Sequence, residues 1–134
     1  MKGLLIGCSL AIALSVATSA YAHHSAAGID RTKSVTIVGT VTQFKWANPH
    51  SWMEIEVPND KGGTDTWNIE MMPPSFLVRA GWKSTTVKPG DKVSVVVRPL
   101  RNGDPGGLFV SIKLPSGQVL DQQSPLPGQT PATP

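Results

Sequence analysis

Cysteine and histidine are nearly missing from this chain. One cysteine, Cys8, and three histidines, His23, His24 and His50, are spread over 134 residues. A single thiol closes no intrachain disulfide, so stability has to come from packing, and an oxidising compartment is permitted without being required. A large charge of one sign is missing as well. Twelve Lys and Arg against nine Asp and Glu leave a formal net charge of +3, far from the basic surplus that neutralises a phosphate backbone. No Gly-rich phosphate loop, no H-E-x-x-H helix and no cysteine nucleophile beyond Cys8 can be found, which points away from an enzyme.

Long apolar runs are confined to the start. Lys2 is followed by an apolar stretch from Leu4 to about Val16 and then by Thr18-Ser19-Ala20-Tyr21-Ala22. This is the pattern of a secretory signal peptide, with Ala20 and Ala22 as the small residues before a cut after Ala22. The apolar stretch is shorter than the roughly 20 residues a spanning helix needs. Leu5-Ile6-Gly7-Cys8 has the look of a lipoprotein box, but most of the apolar region follows Cys8 instead of preceding it. The expectation is therefore a periplasmic protein with no membrane span after cleavage at residues 1–22. The mature chain would keep 112 residues, one small domain, and its charge would fall to +2 with the loss of Lys2.

Beyond the signal segment the chain is dominated by period-two patterning. After a small-residue arm, residues 23–33, Val35, Ile37 and Val41 share one parity, and the apolar positions then switch to Phe44 and Trp46. A bulge near Gln43 accounts for that switch. A second strand runs from Trp52 to Val57, the hairpin loop Asn59-Asp60-Lys61-Gly62-Gly63 comes next, and a third strand runs from Thr64 to Glu70. Pro73 to Gly81 reads as one short helix, with proline in its first turn and glycine just past its end. Lys88-Pro89-Gly90-Asp91 has the chemistry of a type II turn. Strands from Val93 to Arg98 and from Leu108 to Leu114 flank the glycine-rich turn Asn102 to Gly107. From Asp121 to Pro134 the chain is mostly Pro, Gln, Ser and Thr with almost no apolar content, the composition of a disordered tail.

Three strands, a short helix and two more strands give an all-β class with one helix. The order is that of a small five-stranded barrel of the oligonucleotide/oligosaccharide-binding (OB) type, spanning residues 34–120. Such barrels bind ligands across the outward face of strands two and three, which here carries Trp52, Glu54, Glu56, Thr66, Asn68 and Glu70. Three carboxylates and one aromatic suit nucleic acid poorly. The glutamates serve equally as a solvated strand face, and Trp52 either marks a docking surface or is covered by one of the chain's own ends.

The histidines fall at two places, His23-His24 at the expected mature terminus and His50 at the head of the acidic face. A terminal His23 offers an α-amine and an imidazole together, and His24 or His50 would add a second imidazole. An all-nitrogen set favours Cu(II), and an α-amine with a pKa of about 7.7–8.0 releases its proton readily to a metal. A cut two residues earlier would put His23 third, where amine, two backbone nitrogens and imidazole again form a copper site. Met53 is in core register, whereas Met71 and Met72 remain open as sulfur ligands.

Ala22-His23-His24-Ser25, Val38-Gly39-Thr40-Val41 with Phe44 and Trp46, Asn48-Pro49-His50-Ser51-Trp52, Arg79-Ala80-Gly81-Trp82 and Lys88-Pro89-Gly90-Asp91 together resemble a family of exported bacterial proteins named as a domain of unknown function, family 6152. The resemblance covers His23 to about Leu120 and implies export and a small β-barrel, without an activity. The residues support two functional expectations. The first is a periplasmic copper-binding or carrier protein using His23, His24 and His50, tuned by a carboxylate such as Glu70. The alternative is a non-catalytic module that docks an envelope protein through Trp52, Glu54, Glu56 and Glu70, with no metal.

Overall fold

The computed structural model describes residues 28–123; the signal segment, His23, His24 and the end of the tail lie outside the described residues. β-Branched runs form six strands around one short helix: β1 (Val35–Lys45), β2 (Trp52–Pro58), β3 (Thr64–Glu70), α1 (Pro74–Arg79), β4 (Lys92–Pro99), β5 (Gly106–Lys113) and β6 (Val119–Asp121). The sheet order is β3-β2-β1-β4-β5-β6, and a parallel pairing of β3 with β5 closes the first five strands into a barrel. This is the OB topology expected from the element order.

The parity switch in β1 is a bulge, as expected. Val41 pairs with Ile55 and Gln43 with Glu54, leaving Thr42 as the extra residue. A second bulge lies in β5, where Val96 pairs with Ser111 but Val97 with Phe109, so that Val110 is the extra residue. It brings Phe109 and Ile112 to the same interior although they are three apart.

The interior is filled by Val41, Met53, Ile55, Ile69, Val95 and Val97, with Phe109 and Ile112 from β5. Burying each such side chain contributes about 1.5–3 kcal/mol, whereas a surface pair such as Lys88 with Asp91 contributes about 0–1 kcal/mol. The helix and the chain after it add Leu77 and Trp82 to the core, both essentially inaccessible. Gly81 follows the helix with φ 88°, a backbone that glycine adopts without strain. Trp82 packs edge-on against Phe109, with ring centroids 5.4 Å apart, and tilted against Phe44.

The expected turn at Lys88–Asp91 is present: Asp91 N–H donates to Lys88 O at 3.1 Å, and Gly90 has φ 92°, as position three of a type II turn requires. The C-terminal boundary differs from the expectation. Asp121 closes β6, and its carbonyl accepts the Trp82 indole N–H at 2.5 Å. The Gln122 amide donates to Phe109 O at 2.8 Å and accepts from Met72 N–H at 3.0 Å. The tail composition that begins at Asp121 thus overlaps three residues of the folded body, because side-chain amides there satisfy backbone groups that the barrel leaves open. No helix among the described residues is long and apolar enough to cross a membrane.

Candidate functional site

The outward face of β2 and β3 is built by register. Trp52 stands opposite Glu70, Glu54 opposite Asn68 and Glu56 opposite Thr66. His50 and Ser51 precede β2 as an extension of the ladder: Met71 N–H donates to Ser51 O at 2.9 Å and Ser51 N–H to Met72 O at 3.4 Å. Alternation sends Ser51 inward, fully buried, and leaves His50 outward on the same face as Trp52.

His50 meets Glu70 through its Nδ1 atom and the Oε1 atom of the carboxylate. An ionised carboxylate only accepts hydrogen bonds, so Nδ1 carries the proton and a neutral ring keeps its Nε2 lone pair for another partner. The His50 side chain is 45% exposed while that of Glu70 is 10% exposed. Glu70 is therefore not a solvated member of an acidic face, as its parity had suggested. It sits under its neighbours on the outer layer of the barrel.

Of the other expected face residues, Trp52 is half-exposed, Glu54 half-buried and Glu56 exposed. Glu54 and Glu56 continue down the strand away from His50 and do not join Glu70. Met53 and Met71 are core residues, 0% and 1% exposed, so neither thioether reaches a surface ion. Met72 is partly buried and packs on the core. His23 and His24 lie outside the described residues, and no group of three His, Cys, Asp or Glu side chains converges among the described ones.

Beside the His50 and Glu70 pair lies a groove of about 370 Å³. Trp52, Thr66, Asn68 and Glu70 form one side, and Leu100, Asp104, Pro105, Gly106 and Gly107 form the other. Ile29 crosses its rim, 3% exposed and bridged to Leu100. Backbone bonds strap this N-terminal segment down: Arg101 N–H donates to Gly28 O at 2.8 Å and Asp30 N–H to Pro99 O at 2.8 Å. A Cβ on Gly106 would stand 3.0 Å from Asn68 O and 3.1 Å from Leu100 Cδ1, so the bare glycine lets β3, β5 and Leu100 approach closely where the two sides of the groove meet. Asn102 to Gly107 looks like a plain turn in sequence. Its place in a groove comes from the parallel pairing of Asn68 with Gly106, which no local signal announces.

A model for the family of unknown function DUF6152 matches residues 11–110. The chain belongs to that family. No curated protein matches this DUF6152 member. Among solved structures, the mitochondrial single-stranded DNA binding protein of S. cerevisiae is similar in two crystal forms. One gives a TM-score of 0.47 at 19% identity, covering 62% of this chain and 93% of that one. The other gives 0.45 at 17%, covering 62% and 92%.

Proposed function

We propose that this DUF6152 protein is an exported, non-catalytic metal-binding or carrier protein that takes copper through His50 and the histidines at its mature N-terminus. The observation that supports this most is the His50 and Glu70 pair. Histidines that bind metals commonly donate their second ring N–H to a carboxylate, which fixes the ring and the tautomer. His50 has that arrangement, and its side chain is partly open to solvent.

Chain length is compatible with the remaining ligands. Ile29 lies on the rim of the groove that Glu70 lines, and His23 precedes it by six residues, about 20 Å of extended chain. His23 would bring its α-amine and imidazole and His24 a further imidazole, the nitrogen-rich set that suits Cu(II). Glu70 would act on the metal through His50, as an orienting partner.

Cu(II) titration followed by electron paramagnetic resonance tests this on protein with its natural N-terminus. His50→Ala and Glu70→Gln are each expected to weaken binding, the latter by about 10–100-fold. One residue added before the mature terminus is expected to abolish the tight site. Full copper affinity in both His50→Ala and the extended chain would sink the reading.

A further inference from the structure

The groove beside Glu70 carries chemistry that a metal site on His50 does not use. Its walls are largely apolar, and its charged groups are all of one sign. Glu70 and Asp104 line it, and no lysine or arginine does. Two arginines of the flanking segments are turned to backbone acceptors, Arg101 Nε to Ile29 O at 3.0 Å and Arg98 Nη1 to Arg31 O at 3.4 Å, and Lys45 stands across the ladder from Trp52 without lining the groove. His50 engages one oxygen of the Glu70 carboxylate, and Asn102 Nδ2 engages one of Asp104 at 2.7 Å. A second oxygen remains on each.

We propose that this groove receives an arginine or lysine side chain presented by a partner polypeptide. The aliphatic stem would lie on Ile29, Leu100 and the Trp52 ring, and the cationic head would meet Glu70 and Asp104. Long basic side chains are built for this division, an apolar stem and a charged tip. An indole face attracts a cation within about 6 Å by about 0.5–2 kcal/mol. Carboxylates in a partly dry groove hold a cation better than carboxylates in open water. The volume is at the lower end of the roughly 300–1,000 Å³ of small-ligand sites, room for one side chain. A polypeptide is the expected source because Thr66 and Asn68 are exposed at the rim, where they can hydrogen-bond a peptide backbone that stays outside. The inference goes beyond the copper reading and shares only Glu70 with it.

The test is a titration of the purified protein under chelator, read by the amide resonances of Asn68 and Gly106 and, in chains that keep Trp52, by the change in tryptophan emission. The probes are an arginine-centred glycine peptide, the same peptide with neutral citrulline, free agmatine and a simple pyranose. The arginine peptide is expected to saturate those signals and to bind at least about tenfold more tightly than the citrulline peptide. Trp52→Ala and Asp104→Asn, which leave the His50 and Glu70 side chains in place, are each expected to weaken it several-fold, and added salt to weaken it further. Silence at those residues, equal binding of citrulline, a preference for the pyranose or agmatine binding as tightly as the peptide would each overturn the proposal. Copper titration of the unsubstituted protein separates the two readings: no copper binding with the arginine response intact removes only the first, and copper binding with no arginine response removes only the second.

Discussion

Ser51 and His50 are adjacent in the chain and opposite in environment. The half-exposed imidazole reaches the Glu70 carboxylate on the outer layer of the barrel, while Ser51 Oγ is buried inside with no hydrogen-bond partner among the described residues. The two side chains therefore do not form a nucleophile and base. A buried, unbonded hydroxyl costs about 1–3 kcal/mol of desolvation. Ser51→Ala is accordingly expected to leave stability unchanged or raise it by up to about 1 kcal/mol in urea unfolding. A clear loss would show that the hydroxyl has a partner after all. At this scale the sequence was informative about direction and silent about cover. Parity placed Glu70 on the outer face correctly, yet its burial depends on His50 and on the groove wall, both brought there by tertiary contacts.

Element boundaries were legible from patterning wherever a strand was long. The bulge at Thr42 shows in the sequence because the apolar residues change parity between Val41 and Phe44. The bulge at Val110 carries the same mark in the three-residue spacing of Phe109 and Ile112. There the mark is masked, because Leu108 and Val110 are apolar as well and blur the alternation. β6 has only three residues and no periodicity to read. Two predictions belong to these elements. A Cβ on Gly39 would stand 2.3 Å from Glu56 O and 2.7 Å from Ile55 Cγ2, and both belong to the paired strand, which cannot yield cheaply. Gly39→Ala is expected to cost about 2–4 kcal/mol, measured by thermal unfolding; a silent substitution would contradict this close approach of β1 and β2.

The second prediction concerns the turn before β4. The Lys88 ammonium, 2.6 Å from Asp91 Oδ1, and the Lys88 N–H, 3.0 Å from Oδ2, hold the Asp91 carboxyl below its ordinary value of 3.8 against the opposing effect of burial. A depressed pKa contributes stability that is present above the ordinary value and is lost as pH falls through the lowered one. Asp91→Asn is therefore expected to be less stable than the parent near neutral pH, with the gap closing below about pH 4. A gap independent of pH would rule out this assignment.

The whole molecule depends on a few long-range ties. Gln122 binds the chain leaving β3 at Met72 and the middle of β5 at Phe109. Gln122→Ala is expected to lower stability by about 1–3 kcal/mol, from two lost hydrogen bonds and the backbone groups they leave unmet. Measured by thermal unfolding, an unchanged midpoint would show that the clip adds nothing. The barrel as a whole was readable from its strand order, because few architectures accommodate three strands, a helix and two strands. The groove was not, since its two sides come from segments far apart in the chain. Those sides meet at the parallel seam of β3 with β5, where Asn68 pairs with Gly106 across a long intervening stretch of chain. Non-local seams of this kind lose entropy early and gain contacts late in folding. Whatever fills the groove would press on both banks of that seam at once, so occupancy would act as a clasp: a guest that binds only the closed form stabilises the barrel by an amount that grows with the logarithm of its concentration over its Kd.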